Sequence, residues 1–273
     1  MKNFAVIGKD VSQSSSPKMH SFIAERMQNQ ICYGARSIKE SDFSAQASEM
    51  LNAHDGLNVT IPYKLSIMPY LDEVVGDALV FGAVNTVKRA TQDGKTKYYG
   101  YNTDGLGFML MLENAGVQTN GKTFLLLGAG GAGRSVAKKL VDAGSKVYVY
   151  DRNTENSTAL SQEFDGVEKV DDLQSFSTKI YAIINATGVG MHKSVGLSPV
   201  GEEIISLCDV AIDLIYVPEK SRFLELAESL GKQILNGKAM LFYQAYYAEC
   251  IFFDVDANSA QAKRIFEEYL REE

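Results

Sequence analysis

The chain of 273 residues is 45% hydrophobic and 22% charged, and its formal net charge at pH 7 is -7. This composition indicates a globular protein of one or two domains with enough chain for a sizeable core. The net charge argues against nucleic acid or an anionic membrane as a partner, although a local basic pocket could still hold a small anion. The N-terminal apolar run is too short for a signal peptide and no stretch has the length of a membrane span, so we expect a cytoplasmic protein.

The cysteines and histidines are scattered along the chain, and no pair has the spacing of a metal site. We therefore expect no metal. Isolated cysteines in a reducing compartment are usually small buried residues. This prediction covers Cys32, Cys208 and Cys250.

The first hundred residues alternate between predicted strands and helices. Apolar runs and turn residues indicate strands over 2–8, 31–38, 56–61, 84–89 and 97–101, and helices that begin at Pro17, Phe43 and Lys64. Asp93-Gly94 is typical of a hairpin turn between the last two strands. Residues 102–105 (NTDG) are typical of a helix start, and we place a domain boundary there.

A glycine-rich segment follows this boundary. Residues 124–127 form a continuous apolar run, and Gly128, Gly130 and Gly133 follow in the spacing G-x-G-x-x-G before an amphipathic helix over 134–143. Gly128 permits a tight turn, Gly130 lets a pyrophosphate approach the backbone, and Gly133 lets helix and strand pack closely. The segment therefore predicts dinucleotide binding, with phosphates held at a helix N-terminus. A glycine-rich turn without a ligand would explain one or two of these glycines but not the whole run.

The alternation of strands and helices continues over residues 123–235 and predicts a parallel, doubly wound sheet. The strand over 146–150 ends at Asp151, whose carboxylate could accept hydrogen bonds from a ribose diol. Two C-terminal helices, 240–253 and 259–271, carry too much apolar surface to stand alone. We expect them to pack back on the first domain.

Polar residues outside the glycine-rich half are candidates for chemistry. Hydride transfer between a nicotinamide and a carbinol needs a proton donor or acceptor beside the hydride path. Lys64 and Asp104, held together, could share a substrate hydroxyl and its proton; the alternatives are a solvated lysine and a plain helix cap. Neutral hydrogen-bonding residues at the ends of apolar segments suggest a pocket for a polyhydroxylated ligand. These residues are Ser14, Ser16, Asn58, Thr60, Asn85 and Gln244, although Ser16 could also serve only as a helix cap.

Several segments together resemble the shikimate dehydrogenase family, in family order and over the whole chain. The matching segments are 14–17 (SSSP) with Met19-His20, 58–64 (NVTIPYK), 82–86 (GAVNT), 102–105 (NTDG), 128–132 (GAGGA), 185–187 (NAT), 213–218 (DLIYVP) and 240–245 (MLFYQA). The resemblance implies reversible reduction of 3-dehydroshikimate to shikimate by a nicotinamide cofactor, a step toward chorismate and the aromatic amino acids. It implies an α/β fold with an N-terminal substrate domain over 1–101 plus 238–273, which includes the C-terminal helices, and a Rossmann-type cofactor domain over 102–237.

The resemblance also implies roles for individual residues. Lys64 and Asp104 would be the catalytic pair, with Lys64 the proton donor and acceptor. Ser14 and Ser16, helped by Tyr216, would hold the substrate carboxylate. The ring hydroxyls would be held by Asn58, Thr60, Asn85, Asp104 and Gln244. The cofactor would be held by Gly128, Ala129, Gly130, Gly131, Ala132, Asp151 and Arg152, with Thr187, Leu214 and Gly237 on the nicotinamide side.

The chain departs from the family pattern at three places. Gln13 stands where a histidine is usual, and Ala239 where a glycine is common. NADP-dependent members have a sequence similar to Asn-Arg-Thr after the second strand of the cofactor domain, with another basic residue a few positions on. This chain has Asp151-Arg152-Asn153 there, and Asn156 where the second basic residue is expected. A carboxylate there would repel a 2′-phosphate, so we expect NAD or NADP as cofactor with a leaning toward NAD.

Two alternatives remain open at this point. An NAD-dependent quinate/shikimate dehydrogenase with a catabolic role is one, although Ser16 stands where quinate-using members often have threonine. A non-catalytic ligand sensor of the same fold is the other, and such a protein would be free to lose Lys64 or Asp104. The expected partner is a small-molecule substrate, and the expected assembly is a monomer or homodimer.

Overall fold

The computed structural model describes residues 1–272 and divides into two compact units by internal packing. The first unit combines Met1–Gly107 with the chain from Phe242 onward, and the second is Phe108–Leu241. The assignment of substrate and cofactor domains, with the bounds given above, stays a prediction.

The first unit contains a mixed six-stranded sheet in the order β2-β1-β3-β5-β6-β4. Its strands are β1 (Lys2–Gly8), β2 (Ile31–Ser37), β3 (Gly56–Val59), β4 (Glu73–Val74), β5 (Thr86–Gln92) and β6 (Lys95–Tyr101). The helices of this part of the chain are α1 (Ser16–Arg26), α2 (Phe43–Ala53), α3 (Tyr63–Ser66), α4 (Asp77–Phe81) and α5 (Asp104–Asn114), with 3-10 turns over Glu40–Asp42 and Met68–Tyr70. β1 pairs in parallel with β2 and β3, whereas β5 is antiparallel to β3 and β6. Apolar side chains of β1, β3 and α2 form the core on one face, among them Ile7, Leu57 and Leu51.

The second unit contains a sheet of six parallel strands in the order β12-β11-β10-β7-β8-β9. Its strands are β7 (Thr123–Leu127), β8 (Lys146–Tyr150), β9 (Val167–Lys169), β10 (Ala182–Asn185), β11 (Val210–Asp213) and β12 (Gln233–Leu235). The helices are α6 (Gly131–Asp142), α7 (Thr154–Glu163), α8 (Glu202–Ile205) and α9 (Arg222–Ser229), with a 3-10 turn over His192–Ser194. The strand order reverses between β7 and β10. In open α/β sheets ligands bind outside the carboxyl ends of the strands at such a reversal.

Two long helices end the chain, α10 (Lys238–Phe253) and α11 (Ser259–Glu272). Within the first unit, the Arg26 guanidinium at the end of α1 is bonded to Glu268 and Glu272 of α11 at 3.2 and 2.6 Å. The predicted return of the C-terminal helices to the first domain is therefore confirmed, as is the α/β fold class with its doubly wound parallel sheet.

The local predictions were wrong at several element ends. The helix after the glycine-rich turn begins at Gly131, three residues before the predicted start. The helix predicted from Lys64 onward is one α-turn followed by a 3-10 turn, because Pro69 has no N–H to continue an α-helix. The missed elements β4, β9, α4 and α8 are too short to show a periodicity, and the ten residues of α7 are mostly polar.

The prediction of three buried thiols was wrong for Cys32, which is exposed on the edge strand β2, whereas Cys208 and Cys250 are buried. Burial raises the pKa of Cys208 and of Cys250 to about 11, so both keep their protons near neutral pH. We expect an aromatic disulfide reagent at pH 8 to modify a single thiol per native chain, and none in Cys32→Ser. Rapid modification of Cys32→Ser in the native state would contradict the burial of the other two.

Candidate active site

The first unit brings Lys64 and Asp104 together, as an ion pair with Lys64 Nζ 2.6 Å from Asp104 Oδ2. Lys64 lies on α3, which follows the buried strand β3 after three intervening residues, and Asp104 is the first residue of α5. The two side chains are 27% and 18% exposed, so both are partly withdrawn from water yet accessible to a small molecule. Neither simple alternative fits: Lys64 is not a solvated lysine, and the capping contact is made by Asn102, whose Oδ1 accepts from the Asp104 N–H at 3.0 Å.

Asn85 holds the other oxygen of the Asp104 carboxylate. This residue is almost fully buried immediately before β5, and its Nδ2 donates to Asp104 Oδ1 at 2.8 Å. Its Oδ1 accepts from the Thr103 N–H at 2.9 Å, which fixes the orientation of the amide. The side-chain oxygen of Gln244, Oε1, accepts from Asn85 Nδ2 at 3.5 Å and from Thr103 Oγ1 at 3.4 Å. These residues form one polar cluster at the ends of β3, β5 and β6.

Asn58 joins this cluster through Asn85, and Thr60 follows two residues later in the chain. The Asn58 amide is buried, with Nδ2 donating to the Asn85 carbonyl at 3.3 Å and to Thr86 Oγ1 at 3.2 Å. Its Oδ1 accepts from the Tyr33 hydroxyl at 2.6 Å. Thr60 is half-buried where β3 ends, and its N–H donates to the Ile7 carbonyl. Tyr33 and Thr86 were missed by sequence reasoning, although Thr86 directly follows Asn85 in the GAVNT segment.

The serine loop precedes α1. Ser14 Oγ accepts from the Ser16 N–H at 3.2 Å, and both serines are half-buried. The alternative of Ser16 as a helix cap was wrong: the residue before the helix is Ser15, and no side chain makes a cap hydrogen bond there. The Ser16 hydroxyl therefore does not cap the N-terminus of α1.

In the second unit, the glycine-rich turn joins β7 to α6. Gly128 has φ +98, which favours glycine, and a Cβ on Gly133 would lie 2.0 Å from the Gly128 carbonyl oxygen. The tight turn and the close packing predicted for these residues are thus confirmed. A Cβ on Gly130 or Gly131 would meet no atom within 4 Å. The backbone at the start of this twelve-residue helix is therefore open to a ligand, as phosphate binding at a helix N-terminus requires.

A cavity of about 610 Å³ lies at this turn. Five of the predicted cofactor residues line it: Gly128, Gly130, Asp151, Arg152 and Thr187. Leu214 and Gly237 are not among its lining residues; they contact each other, since a Cβ on Gly237 would lie 2.0 Å from the Leu214 carbonyl oxygen. The volume and the glycine cradle fit a large part of a dinucleotide.

Asp151 closes one side of the turn. Its Oδ2 accepts from the Ala129 N–H at 2.7 Å and its Oδ1 from the Asn153 N–H at 2.8 Å. The carboxylate therefore braces the glycine-rich loop as well as facing the cavity. Because a carboxylate can accept about four hydrogen bonds, it retains capacity for a ribose hydroxyl.

Thr187 is positioned by a buried network that sequence reasoning missed. Asn185 Oδ1 accepts from the Thr187 N–H at 3.0 Å and from the Thr187 hydroxyl at 2.6 Å, and Asn185 Nδ2 donates to Asp213 Oδ1 at 3.0 Å. Ser221 donates to the other Asp213 oxygen at 2.5 Å. Burial raises the pKa of Asp213 above its ordinary value. Tyr216 follows on the same segment and is 42% exposed; its predicted contact with the substrate carboxylate stays a prediction.

Within residues 1–272, no helix has both the length and the apolar content needed to cross a membrane. The same part of the chain contains no group of three or more His, Cys, Asp or Glu side chains placed to hold a metal ion. The expectation of a metal-free protein stays a prediction.

Comparison with known proteins gives consistent matches over both units. One family model, described as the shikimate dehydrogenase substrate binding domain, matches residues 6–87, and another, described as shikimate/quinate 5-dehydrogenase, matches residues 110–192. A protein of Clostridium perfringens strain 13 named shikimate dehydrogenase (NADP(+)) is 35% identical over 272 residues, with 98% of each chain covered. A Thermus thermophilus protein of the same name is 35% identical over 248 residues, with 91% of each chain covered.

Solved structures show the same similarity. Shikimate dehydrogenase 1 from Peptoclostridium difficile has a TM-score of 0.85 at 34% identity, with 98% of each chain covered. Shikimate 5-dehydrogenase from Thermus thermophilus, solved in complex with NADP(H) and shikimate, has a TM-score of 0.85 at 33% identity and covers 98% of this chain and 99% of its own.

Proposed function

Because the chain belongs to the shikimate dehydrogenase family, we propose that it catalyses the reversible, nicotinamide-dependent reduction of 3-dehydroshikimate to shikimate. The observation that carries this proposal is the partly buried Lys64–Asp104 pair, whose carboxylate is bound by Asn85, which in turn contacts Asn58 and Gln244. A ligand sensor would have no need to keep an ammonium and a carboxylate in contact at this place. The chain is therefore assigned as an oxidoreductase.

The nicotinamide, when bound, supplies or accepts the hydride. In the direction of reduction, the Lys64 ammonium donates a proton to the carbonyl oxygen of the substrate, and in oxidation its amine takes that proton from the hydroxyl. Asp104 holds the ammonium at 2.6 Å and is itself held by Asn85. The pair thus supplies a proton donor in a fixed orientation, which is the requirement that hydride transfer imposes.

The remaining roles are proposed from the family pattern. Ser14 and Ser16 have half-buried hydroxyls in one loop, and with Tyr216 would bind the substrate carboxylate. The ring hydroxyls would be bound by the polar cluster around Asp104. The carboxylate and hydroxyls of shikimate distinguish it from substrates with fewer polar groups, since each buried hydrogen-bonding group rejects analogues that leave it unpaired. The second unit would bind the dinucleotide at the glycine-rich turn, with Thr187, Leu214 and Gly237 toward the nicotinamide.

The finer proposal concerns the cofactor. Relatives are named as NADP(+)-dependent, but Asp151 puts a carboxylate in the cavity where those enzymes would meet a 2′-phosphate. Asn156, exposed on α7, adds no positive charge, whereas the exposed Arg152 could still reach a phosphate. Like charges at close range disfavour binding, so we propose that NAD is preferred.

Steady-state kinetics with both cofactors test this choice. We expect a higher kcat/KM with NAD than with NADP, and Asp151→Asn should narrow the ratio by about tenfold, as loss of a close charge repulsion would. Since Asp151 also braces Ala129, we expect the substitution to weaken the binding of both cofactors, and the ratio of the two kcat/KM values is the informative quantity. Asp171→Asn, at an exposed ion pair with Lys169, is the matched control. A higher kcat/KM with NADP in the unsubstituted protein would contradict the preference.

The same assay separates the substrate alternatives. Ser16 favours shikimate over quinate, so we expect quinate to be oxidised with a much lower kcat/KM. A value comparable with that for shikimate would favour the quinate/shikimate dehydrogenase instead. The cytoplasmic location and the state as monomer or homodimer stay predictions.

A further inference from the structure

A continuous run of hydrogen bonds leads through the first unit from Tyr33 to Asp104. The Tyr33 hydroxyl donates to Asn58, Asn58 Nδ2 donates to Thr86 Oγ1, and Thr86 Oγ1 donates to Asn85 Oδ1 at 2.9 Å. Asn85 Nδ2 then donates to the Asp104 carboxylate. The five residues come from β2, β3, β5 with the residue before it, and the start of α5, so no sequence spacing reveals the run.

The direction of this run is fixed by two backbone groups. Asn85 Oδ1 faces the Thr103 N–H, which can only donate, so Asn85 Nδ2 must face Asp104. Asn58 Nδ2 faces the Asn85 carbonyl, which can only accept, so Asn58 Oδ1 must face Tyr33. Turning either amide over would set two donors or two acceptors against each other. The Thr86 hydroxyl, with one proton, must then accept from Asn58 and donate to Asn85.

Tyr33 is held at the far end of the run by its own neighbours. Its ring stacks on that of His20 with centroids 4.3 Å apart, and His20 Nδ1 lies 2.7 Å from Glu249 Oε1 in a pair that is 1% and 0% exposed. Burial, with a contribution from Glu249, raises the pKa of Tyr33 well above its ordinary value. The phenol therefore keeps its proton and stays a donor.

We infer that Tyr33 and Thr86 are positioning residues for the Lys64–Asp104 pair, an inference that rests on the proposed function. Every side-chain donor in the run points toward Asp104, so the carboxylate is kept as an acceptor at both oxygens, one for Asn85 and one for Lys64. Hydrogen bonds arranged in one direction polarise and strengthen one another in a buried setting. Breaking the run loosens Asn58 and Asn85, and with them the orientation of the proton that Lys64 transfers.

The test compares Tyr33→Phe and Thr86→Val with the unsubstituted protein. Shikimate oxidation is measured for kcat, KM and the solvent deuterium isotope effect on kcat, and cofactor affinity is measured by binding. We expect kcat/KM for shikimate to fall by about tenfold in each variant, as the loss of one hydrogen bond predicts. The isotope effect on kcat should rise because proton transfer becomes slower, while cofactor affinity should not change.

Two further variants keep the test specific. Tyr98→Phe is the matched control, since the Tyr98 hydroxyl also donates to an asparagine Oδ1, that of Asn52, at 2.8 Å and outside the run. It should stay within about twofold of the unsubstituted protein. Thr86→Ser keeps the hydroxyl and should recover most of the activity lost in Thr86→Val. If Tyr33→Phe fails to fold, the comparison of Thr86→Val with Thr86→Ser still decides the matter.

The outcomes separate the inference from the proposed function. An unsubstituted protein that oxidises shikimate with neither cofactor would overturn the proposed function. An active protein whose Tyr33→Phe and Thr86→Val variants keep full kcat/KM would overturn the inference alone. A lower kcat with an unchanged isotope effect would also overturn it, because a smaller fraction of folded enzyme gives that result.

Discussion

Replacing Lys64 by alanine is expected to lower kcat for shikimate oxidation by about 10²–10⁴-fold, the range that loss of a general acid–base group gives, with a modest change in KM. Lys64 places an ammonium at the polar cluster in the first unit, and Asp104, 2.6 Å away, holds it there. Removal of the Lys64 side chain takes away the group that accepts the hydroxyl proton in oxidation and returns it to the carbonyl oxygen in reduction, while the neutral groups around the pair remain. Steady-state kinetics in both directions measure the effect.

A second substitution distinguishes charge from proton transfer. Lys64→Arg keeps a cation beside Asp104, but a guanidinium does not release its proton in proteins. We expect this variant to retain thermal stability and still to lose most of its kcat. Lys146→Ala, at an exposed pair with Glu168 at 2.9 Å, is the matched control and should retain full activity. Full activity in Lys64→Arg would show that Lys64 acts only through its charge, against the role proposed.

Gly133→Ala is expected to lower the thermal midpoint by about 5–10 °C and to weaken dinucleotide binding strongly. The added Cβ would lie 2.0 Å from the Gly128 carbonyl oxygen, and because that atom belongs to the backbone, the turn or the helix must move. A shift of this turn displaces the N–H groups that would hold the pyrophosphate. Differential scanning calorimetry without cofactor and a cofactor titration measure the two effects.

Gly131→Ala provides the control within the same loop. A Cβ there meets no atom within 4 Å, and Gly131 is the first residue of α6, so alanine should leave the thermal midpoint unchanged or slightly higher. If both variants were equally stable without cofactor, the close packing of Gly133 against Gly128 would not be a constraint on this fold.

The features that the sequence predicted are those with a local signature. The glycine spacing, the apolar run before it and the strand that ends at Asp151 lie within 30 residues, and their conformations are set by neighbours along the chain. Lys64 and Asp104 were named from their positions at strand and helix ends and from the family pattern. Their contact depends on the tertiary fold. Lys64 follows β3 and Asp104 follows β6, and β5 lies between these two strands in the sheet.

What the sequence did not predict depends on contacts between distant segments. Tyr33 lies in an unremarkable strand, and its hydroxyl matters only because β2 and β3 flank β1 in the sheet. Asp151 was predicted to face a ribose, yet its bond to the Ala129 N–H follows from how the turn after β7 passes the end of β8. Cys32 was predicted buried from its residue type, but an edge strand exposes alternate side chains.

We propose that this chain oxidises shikimate and that Lys64 accepts the hydroxyl proton in that reaction. The most direct measurement is the initial rate of nicotinamide reduction with shikimate, for the unsubstituted protein and Lys64→Arg side by side, with NAD and with NADP. We expect turnover by the unsubstituted protein, with a higher rate for NAD than for NADP at equal cofactor concentration, and almost complete loss of turnover in Lys64→Arg. Absence of turnover with both cofactors, or equal rates for the two proteins, would contradict it.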